Sequence, residues 1–397
     1  MENLLTEKAI QKKANLENSS STHSTFEEYK NATEQRAAPR FDNPEQRDFV
    51  RTLNRRVNSY FKDNNISKNA NAEMIFKTVF HLSIWIGSYS LLIFGGFSVG
   101  INYLLWAVLG FSIAMVCVNI GHDAIHGAYS KHQWVNQLLS HTFNFNGASA
   151  YMWKRMHNQA HHTYTNIDGH DEDIAPVPIV RLSSEAPLWS IHRYQHIYSF
   201  ALYCLSTFSW VFLKDYKKFF ANTVGNYTGE DHPKEEYFYL FFYKFINYAL
   251  FIAVPFIMLP HGWVHTLLGF LLMHAVSGFS LAVIFMLAHV VEDAHFFLPN
   301  EEGNMENSWA VHQLYTTANF SEKSKLMAFL TGGLNQQVEH HLFPNICSIH
   351  YPQLSSIVKQ TAQEYGHPYL TDNFPNAVAS HVRFLKRMGN EERPVMH

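Results

Sequence analysis

TVFHLSIWIGSYSLLIFGGFSVGINYLLWAVLGFSIAMVCVNI, Thr78–Ile120, contains no Asp, Glu, Lys or Arg. A helix needs about 20 apolar residues to cross the hydrocarbon core of a bilayer, so the stretch is long enough for two spans. It is interrupted around Gly95-Gly96 and Gly100-Ile101-Asn102, which predicts a helical hairpin. A second uncharged stretch, Phe245–Val291, has the same length class and is interrupted around Pro260-His261-Gly262. Neither interruption carries Lys or Arg, whereas thirteen Lys and Arg precede Thr78. The positive-inside rule then places the N-terminus in the cytoplasm and both short turns outside. A third stretch, Tyr194–Leu213, is uncharged but rich in Tyr and Ser. It is too polar for a span and is expected at the interface or against a cap.

Outside these stretches the chain is polar. Residues 1–44 lack an apolar core of signal-peptide length and are expected to form a disordered tail, with a membrane domain over 45–375 and a C-terminal tail over 376–397. Phe49, Leu53, Val57 and Phe61 recur every four residues among Arg51, Arg55, Arg56 and Lys62, the pattern of a basic amphipathic helix. Such a helix lies either on the protein's own cap or on a membrane surface. A net charge of −3 gives no sign of a nucleic-acid partner. The three widely spaced cysteines, Cys117, Cys204 and Cys347, offer neither a zinc ribbon nor a disulfide framework.

Histidine is the unusual residue: 25, against 33 Asp and Glu together. Three clusters stand out. NIGHDAIHGAYS holds His122 and His126; WKRMHNQAHHTYTN holds His157, His161 and His162; NQQVEHHLFP holds His340 and His341. Residues four apart on a helix share a face, so each pair can aim two rings at one place. Neutral imidazole binds iron, zinc or copper. Seven such rings exceed what one catalytic metal with open positions accepts, so two metals are the expected count. A lone pair is more often structural, but three clusters beside predicted spans are hard to reach by chance. A metal transporter or a zinc-binding receptor is the rival from another class. A transporter carries ionisable residues within its spans, and neither stretch has any Asp, Glu, Lys or Arg, while the histidine clusters sit at the ends.

These residues resemble the membrane fatty acid desaturases, and in particular the front-end subgroup. The first box has the form HDxxH (His122 to His126), the second HxxxHH (His157 to His162), and the third carries Gln337 in place of a leading histidine before His340 and His341. The surrounding text (HHTYTNIDGHDEDIAP, AHVVEDAHF, SWAVHQLYTTANF, HHLFPNICSIHYPQL) is similar as well, over roughly residues 45–370. The resemblance implies an all-α integral membrane fold: four transmembrane helices in two hairpins, with a cytoplasmic helical cap holding a di-iron site. It implies His122, His126, His157, His161, His162, His340 and His341 as ligands, with His289 from the last span as a further one and Gln337 as a neutral oxygen donor. At i, i+3 and i+4, Gln337, His340 and His341 can face one point, and Gln336 faces away. Asp171 and Asp173 are either orienting partners of the rings or ordinary loop carboxylates. His170 and His312 lie closer to the boxes in sequence than His81, His261, His265 and His274, which are expected to be structural. Trp309, Gln313, Thr316 and Thr317 resemble positions near the substrate, and helix packing accounts for them equally well.

The implied activity is an oxygen-dependent desaturation that places a cis double bond between an existing one and the carboxyl end of a fatty acyl chain. The chain would be carried by CoA, a carrier protein or a lipid. Hydroxylases and ketolases built on the same scaffold are the nearer alternative. There is no HPGG motif of a fused haem-binding cytochrome domain, so electrons are expected from a separate ferredoxin or free cytochrome. The expected location is a bacterial inner membrane, crossed several times, with both termini and the histidine boxes on the cytoplasmic side.

Overall fold

A computed structural model describes residues 26, 28–30, 33, 36–174, 177–224, 227–229 and 231–391. Most of the expected N-terminal tail lies outside these residues. Its described part is packed: Phe26 and Tyr29 are buried, and Arg40 exchanges backbone hydrogen bonds with Gly303 and Met305.

Helix α1 (Arg47–Asp63) buries Phe49, Leu53, Val57 and Phe61. Of the two readings of this amphipathic face, packing on the protein itself holds. The face lies against Val311, Leu314, Val338, Leu342 and Leu354, beneath the third histidine box. Among the described residues, four helices are long and apolar enough to cross a membrane: α2 (Ala72–Phe94), α3 (Val99–Ile125), and later Lys234–Met258 and Trp263–His289. The break between α2 and α3 falls at 95–98, where Gly96 takes a positive φ. The expected second half of that break, Gly100-Ile101-Asn102, is helical instead: Ser98 precedes the first turn of α3, and Asn102 donates to its carbonyl.

After α3 come α4 (Gln133–Phe145) and α5 (150–164), which carries the second box. The stretch Tyr194–Leu213 is not one helix. It is shared between α6 (Ser190–Tyr203) and α7 (Ser206–Phe219), bent by 68° at a short break. A small antiparallel pair, β1 (Thr223–Val224) with β2 (Tyr227–Thr228), precedes the third long helix. That helix, α8 (Lys234–Met258), starts earlier than the uncharged stretch implied and buries Lys244 within its length. The last long helix is α9 (Trp263–His289), entered through Gly262 at positive φ. α9 packs along α3 with backbones in close contact, because a Cβ on Gly110 would strike the Met273 carbonyl and one on Gly269 the Trp106 ring. Small residues at such crossings let helices approach where no hydrophobic effect drives them together.

The rest of the chain folds over one end of these helices: α10 (Trp309–Thr316), β3 (Ala318–Phe320), α11 (Lys325–Leu330), α12 (Gln337–Leu342) and α13 (Tyr351–Glu364). β4 (Leu370–Asp372) pairs in parallel with β3. The helical reading therefore holds with two minimal sheets added. The expected C-terminal tail is not one as far as it is described. α14 (Phe374–Met388) buries Ala377, His381, Phe384 and Leu385, and the His381 ring bonds Tyr203 Oη and the Val290 carbonyl. Its apolar positions at helical spacing are what give it a partner.

Candidate metal centre

All three boxes stand at helix ends, and two are delivered by π-helical turns. Residues Cys117–Gly121 of α3 are π-helical just before His122, and Lys154–His161 of α5 are π-helical through the second box. A π turn closes i→i+5, about one residue wider than an α turn. In α5 this brings the residue five positions on from His157 back to the same side. His157 therefore lies 5.1 Å from His161 and 4.8 Å from His162, ring to ring. An α-helix would have turned His162 away. The third box rides on α12, which follows a turn at Gly332-Gly333. Both glycines have positive φ, and a Cβ on Gly332 would strike the Val118 carbonyl of α3.

The rings meet in two knots. One nitrogen each from His122, His126, His157 and His340 lies within 4.8 Å of all the others, and the same holds for His161, His289 and His341. His162 sits between, 4.5 Å from His340 and 4.2 Å from His341, and completes a third such group with them. His289, from the end of α9, is thus brought to the boxes. His81, His261, His265 and His274 are not, and bond or pack locally. His312 Nε2 donates to the Thr165 carbonyl, and the His170 ring lies tilted against Tyr164, 5.5 Å away.

The hydrogen bonding is one-sided. His161 Nδ1 lies 2.9 Å from Asp171, His157 Nδ1 3.2 Å from Asp173, and His289 Nδ1 3.2 Å from the Thr316 carbonyl. His340 Nδ1 is 3.2 Å from Tyr351 Oη, and His341 Nδ1 is 2.8 Å from Gln313 Oε1. On all eight histidines, including His122, His126 and His162, the Nε2 atom is buried and has no partner. Such atoms cost free energy unless something binds them, and partnered Nδ1 with open Nε2 is the arrangement of metal-ligating histidine. Burial pushes His126, His157, His162, His340 and His341 well below the usual imidazole range, which keeps them neutral. Burial also acts on His161, but Asp171 and Asp173 outweigh it and raise that ring. A cation at Nε2 would satisfy the same carboxylates.

Gln337 is buried at the start of α12, with its amide nitrogen unpartnered, and shares the helix with His340 and His341. Gln336 Nε2 bonds the Glu322 carbonyl. Asp171 and Asp173 orient rings and are not ordinary loop carboxylates. The Gln313 oxygen accepts from Thr165 and lies 2.8 Å from His341 Nδ1, so this side chain packs behind a ring of the third box. Trp309 likewise bonds the His162 carbonyl, and Thr316 holds His289. Thr317 is buried with its hydroxyl unpartnered. Asp123, the acid of the first box, accepts from Ser348 N and Oγ and from Cys347, tying box one to the segment after box three.

A narrow, largely apolar cavity of about 30 Å³ begins at His122 and is lined by α3, α4, α5, α7, α8 and α9. Phe285, Leu281, Ser277 and Met273 line it in succession along α9, and Trp153 and Trp210 stack face to face on its wall, 4.8 Å apart. The α9 face from Met273 to Phe285 is about 18 Å long at 1.5 Å per helical residue. No motif in the sequence marks these residues, because they come from separate helices.

Fold and site define a multi-span helical protein with a buried polyhistidine metal chamber opening on an apolar cavity. The chain belongs to the fatty acid desaturase family, whose sequence profile matches residues 98–373. It is 37% identical over 358 residues to the sn-1 linoleoyl-lipid 6-desaturase of Synechocystis sp., covering 89% of this chain and 98% of that one. It is 34% identical to the acyl-lipid (8-3)-desaturase of Physcomitrium patens (90% of this chain, 75% of that one) and 30% identical to the Delta(5) fatty acid desaturase A of Dictyostelium discoideum (87% and 75%). The protein is a fatty acyl desaturase of the front-end type.

Proposed function

We propose that the protein desaturates the acyl chain of a membrane lipid on the carboxyl side of an existing double bond, using two irons held by the eight histidines and Gln337. The observation that carries this reading is the convergence of eight buried, unpartnered Nε2 atoms at the mouth of an apolar cavity. The donor set fits iron: neutral imidazoles with one neutral oxygen donor, braced from behind. His122, His126, His157 and His340 would hold one ion and His161, His289 and His341 the other, with His162 between them.

When bound, the irons supply oxygen activation: two hydrogens leave adjacent carbons, and dioxygen takes these with two electrons and two protons to give two waters. The chain's own residues do the rest. Asp171, Asp173, Gln313, Tyr351 and the Thr316 carbonyl fix ring orientation at Nδ1. The cavity lining excludes water and holds the chain beyond the reacting carbons. An extended acyl chain advances about 1.25 Å per carbon, from C–C bonds of about 1.5 Å in a staggered zigzag. The α9 face from Met273 to Phe285, about 18 Å long, matches the length of about 14 carbons, that of the methyl-side part of a chain cut near its carboxyl end, and the side chains along it would have to part to admit one. The lipid-linked substrate is supported by the names of the relatives. Electrons would come from a separate ferredoxin or free cytochrome. The histidine chamber and both termini would face the cytoplasm, the two hairpin turns the other side, in a bacterial inner membrane.

Fatty acid methyl ester profiles of cells expressing the protein, with and without linoleate, test this. Linoleate should yield a product with the new double bond nearer the carboxyl end. Conversion of saturated chains at mid-chain alone would reject the front-end assignment.

A further inference from the structure

Lys77 stands five residues into α2, in a helix that is otherwise the surface of the membrane domain. It is only 3% exposed. Its recorded hydrogen bond is a single long one, 3.3 Å to the Ala328 carbonyl, and it forms no ion pair among the described residues. The nearest aromatic face, Phe329, lies 5.7 Å from the ammonium. An ammonium has three donors, and this buried one has a single long hydrogen bond, with the carboxylates of Asp123 and Glu73 near it but not paired to it.

The ammonium lies on the wall of a groove between α2, α11 and α13. Lys323, Lys325 and Lys359 line the same groove. Two acids line it as well. Glu322 is engaged by Lys359 at 3.7 Å and by Tyr369 Oη at 3.3 Å, and Glu73 lies exposed at the first turn of α2. Four cations against two acids leave the groove positive. The Ser324 hydroxyl, which accepts from Met327 N, keeps its proton for a ligand in the groove.

The rim of the groove is apolar on one side. Ile75, Phe76, Val79 and Phe80 of α2 and Leu326 of α11 are exposed, between 41% and 68%. Lysines in a recess, flanked by exposed apolar side chains at the end of a span, match the headgroup level of a bilayer.

We propose that this groove binds the phosphate of an anionic membrane lipid, with Lys77 as the buried contact and Lys325 and Lys359 as outer ones. The lipid's acyl chains lie on Phe76, Val79 and Phe80. The proposal rests on α2 spanning the membrane, and not on the identity of the metal or the reaction. An acidic soluble protein is a poorer fit, since its carboxylates would have to reach Lys77 through a recess open toward lipid. The floor of the groove includes Gly333 and Ser348, and Ser348 holds Asp123 of the first box. A bound lipid therefore braces the segment that carries box three.

The test uses the full chain in nanodiscs of phosphatidylcholine with or without phosphatidylglycerol. The melting temperature and the lipid retained after detergent washing are read for the parent, Lys77→Met and the double variant Lys325→Gln, Lys359→Gln. Lys77→Met replaces a buried cation by an apolar side chain of similar length, and the double variant changes only groove-lining groups outside the core. The expected result is a higher melting temperature of the parent in phosphatidylglycerol, and loss of that rise and of the retained lipid in both variants. Equal phosphatidylglycerol stabilisation of parent and variants overturns the proposal and leaves the lysines to an acidic protein. An equal rise from inorganic phosphate in phosphatidylcholine discs also overturns it, in favour of a free-anion site. Iron content and desaturation of the same preparations, read separately, report on the catalytic assignment.

Discussion

Two buried polar clusters lie close together in this protein and are built on opposite terms. Around Lys244, every group is satisfied. The ammonium donates to Gly147 O (2.6 Å), Val211 O (2.7 Å) and Asp215 Oδ2 (2.9 Å). Asp215 also accepts from Ser149 N and Trp210 Nε1, both at 2.8 Å. In the histidine chamber, five rings (His157, His161, His289, His340 and His341) are satisfied at the back, and the Nε2 atoms of all eight are buried without partners. The first cluster joins α8, α7 and the entry to α5 and has nothing left to bind. The second is braced from behind at five rings and kept open in front. Saturated polar burial specifies structure, whereas an unpartnered buried nitrogen, repeated eight times around one space, reserves a place for a ligand. Trp210 connects the two. It bonds Asp215 and stacks on Trp153, whose ring lies 4.6 Å from His157.

Breaking the chamber should have the largest effect. His161→Ala should abolish desaturation and lower the iron content, while the protein still inserts in the membrane; full turnover by this variant would sink the di-iron reading. Breaking the saturated cluster should act on stability instead. Asp215→Ala strands the Lys244 ammonium and should cost about 3–5 kcal/mol, seen as a lower melting temperature or poor accumulation in membranes. Replacing the pair together, by Met and Leu, should restore much of that loss, which the chamber would not permit.

The ring supports come next. Asp171→Asn and Gln313→Leu leave all eight rings in place and should lower metal affinity about 10–100-fold, measured as iron retained against a chelator series. Unchanged retention in both would make the bracing incidental. The smallest effect sharpens the role of Gln337. Gln337→Leu should lose most activity per unit of inserted protein, about tenfold, and Gln337→His should keep some. Gln336→Leu, directed toward Glu322, should be mild. Equal yields from Gln337→Leu and the parent would remove Gln337 from the site.

The saturated cluster also shows why part of the architecture was hidden in the sequence. Reading spans from uncharged stretches starts the third helix at Phe245 and leaves out Lys244, because a sequence shows the charge but not that Asp215 and backbone carbonyls satisfy it inside the protein. The C-terminal helix was missed for a related reason. Its apolar positions recur at helical spacing, but the partner of that face is in α6 and the end of α9, far away in the chain.

The sequence by itself determined the four apolar helices, the amphipathic face of α1 and the eight histidines with Gln337. These are properties of spacing and residue type, and a bilayer-length apolar run or an imidazole keeps its character wherever it is placed. Only the tertiary structure decided how the rings converge. The π turn that returns His162 to the face of His157 depends on where α5 is pinned. The bracing by Gln313 and Asp171 joins residues 28 and 10 positions from their rings. The cavity exists only where α3, α4, α5, α7, α8 and α9 fail to fill the space between them. Such features are relations between distant segments, set by packing and by the demand that each buried polar atom find a partner.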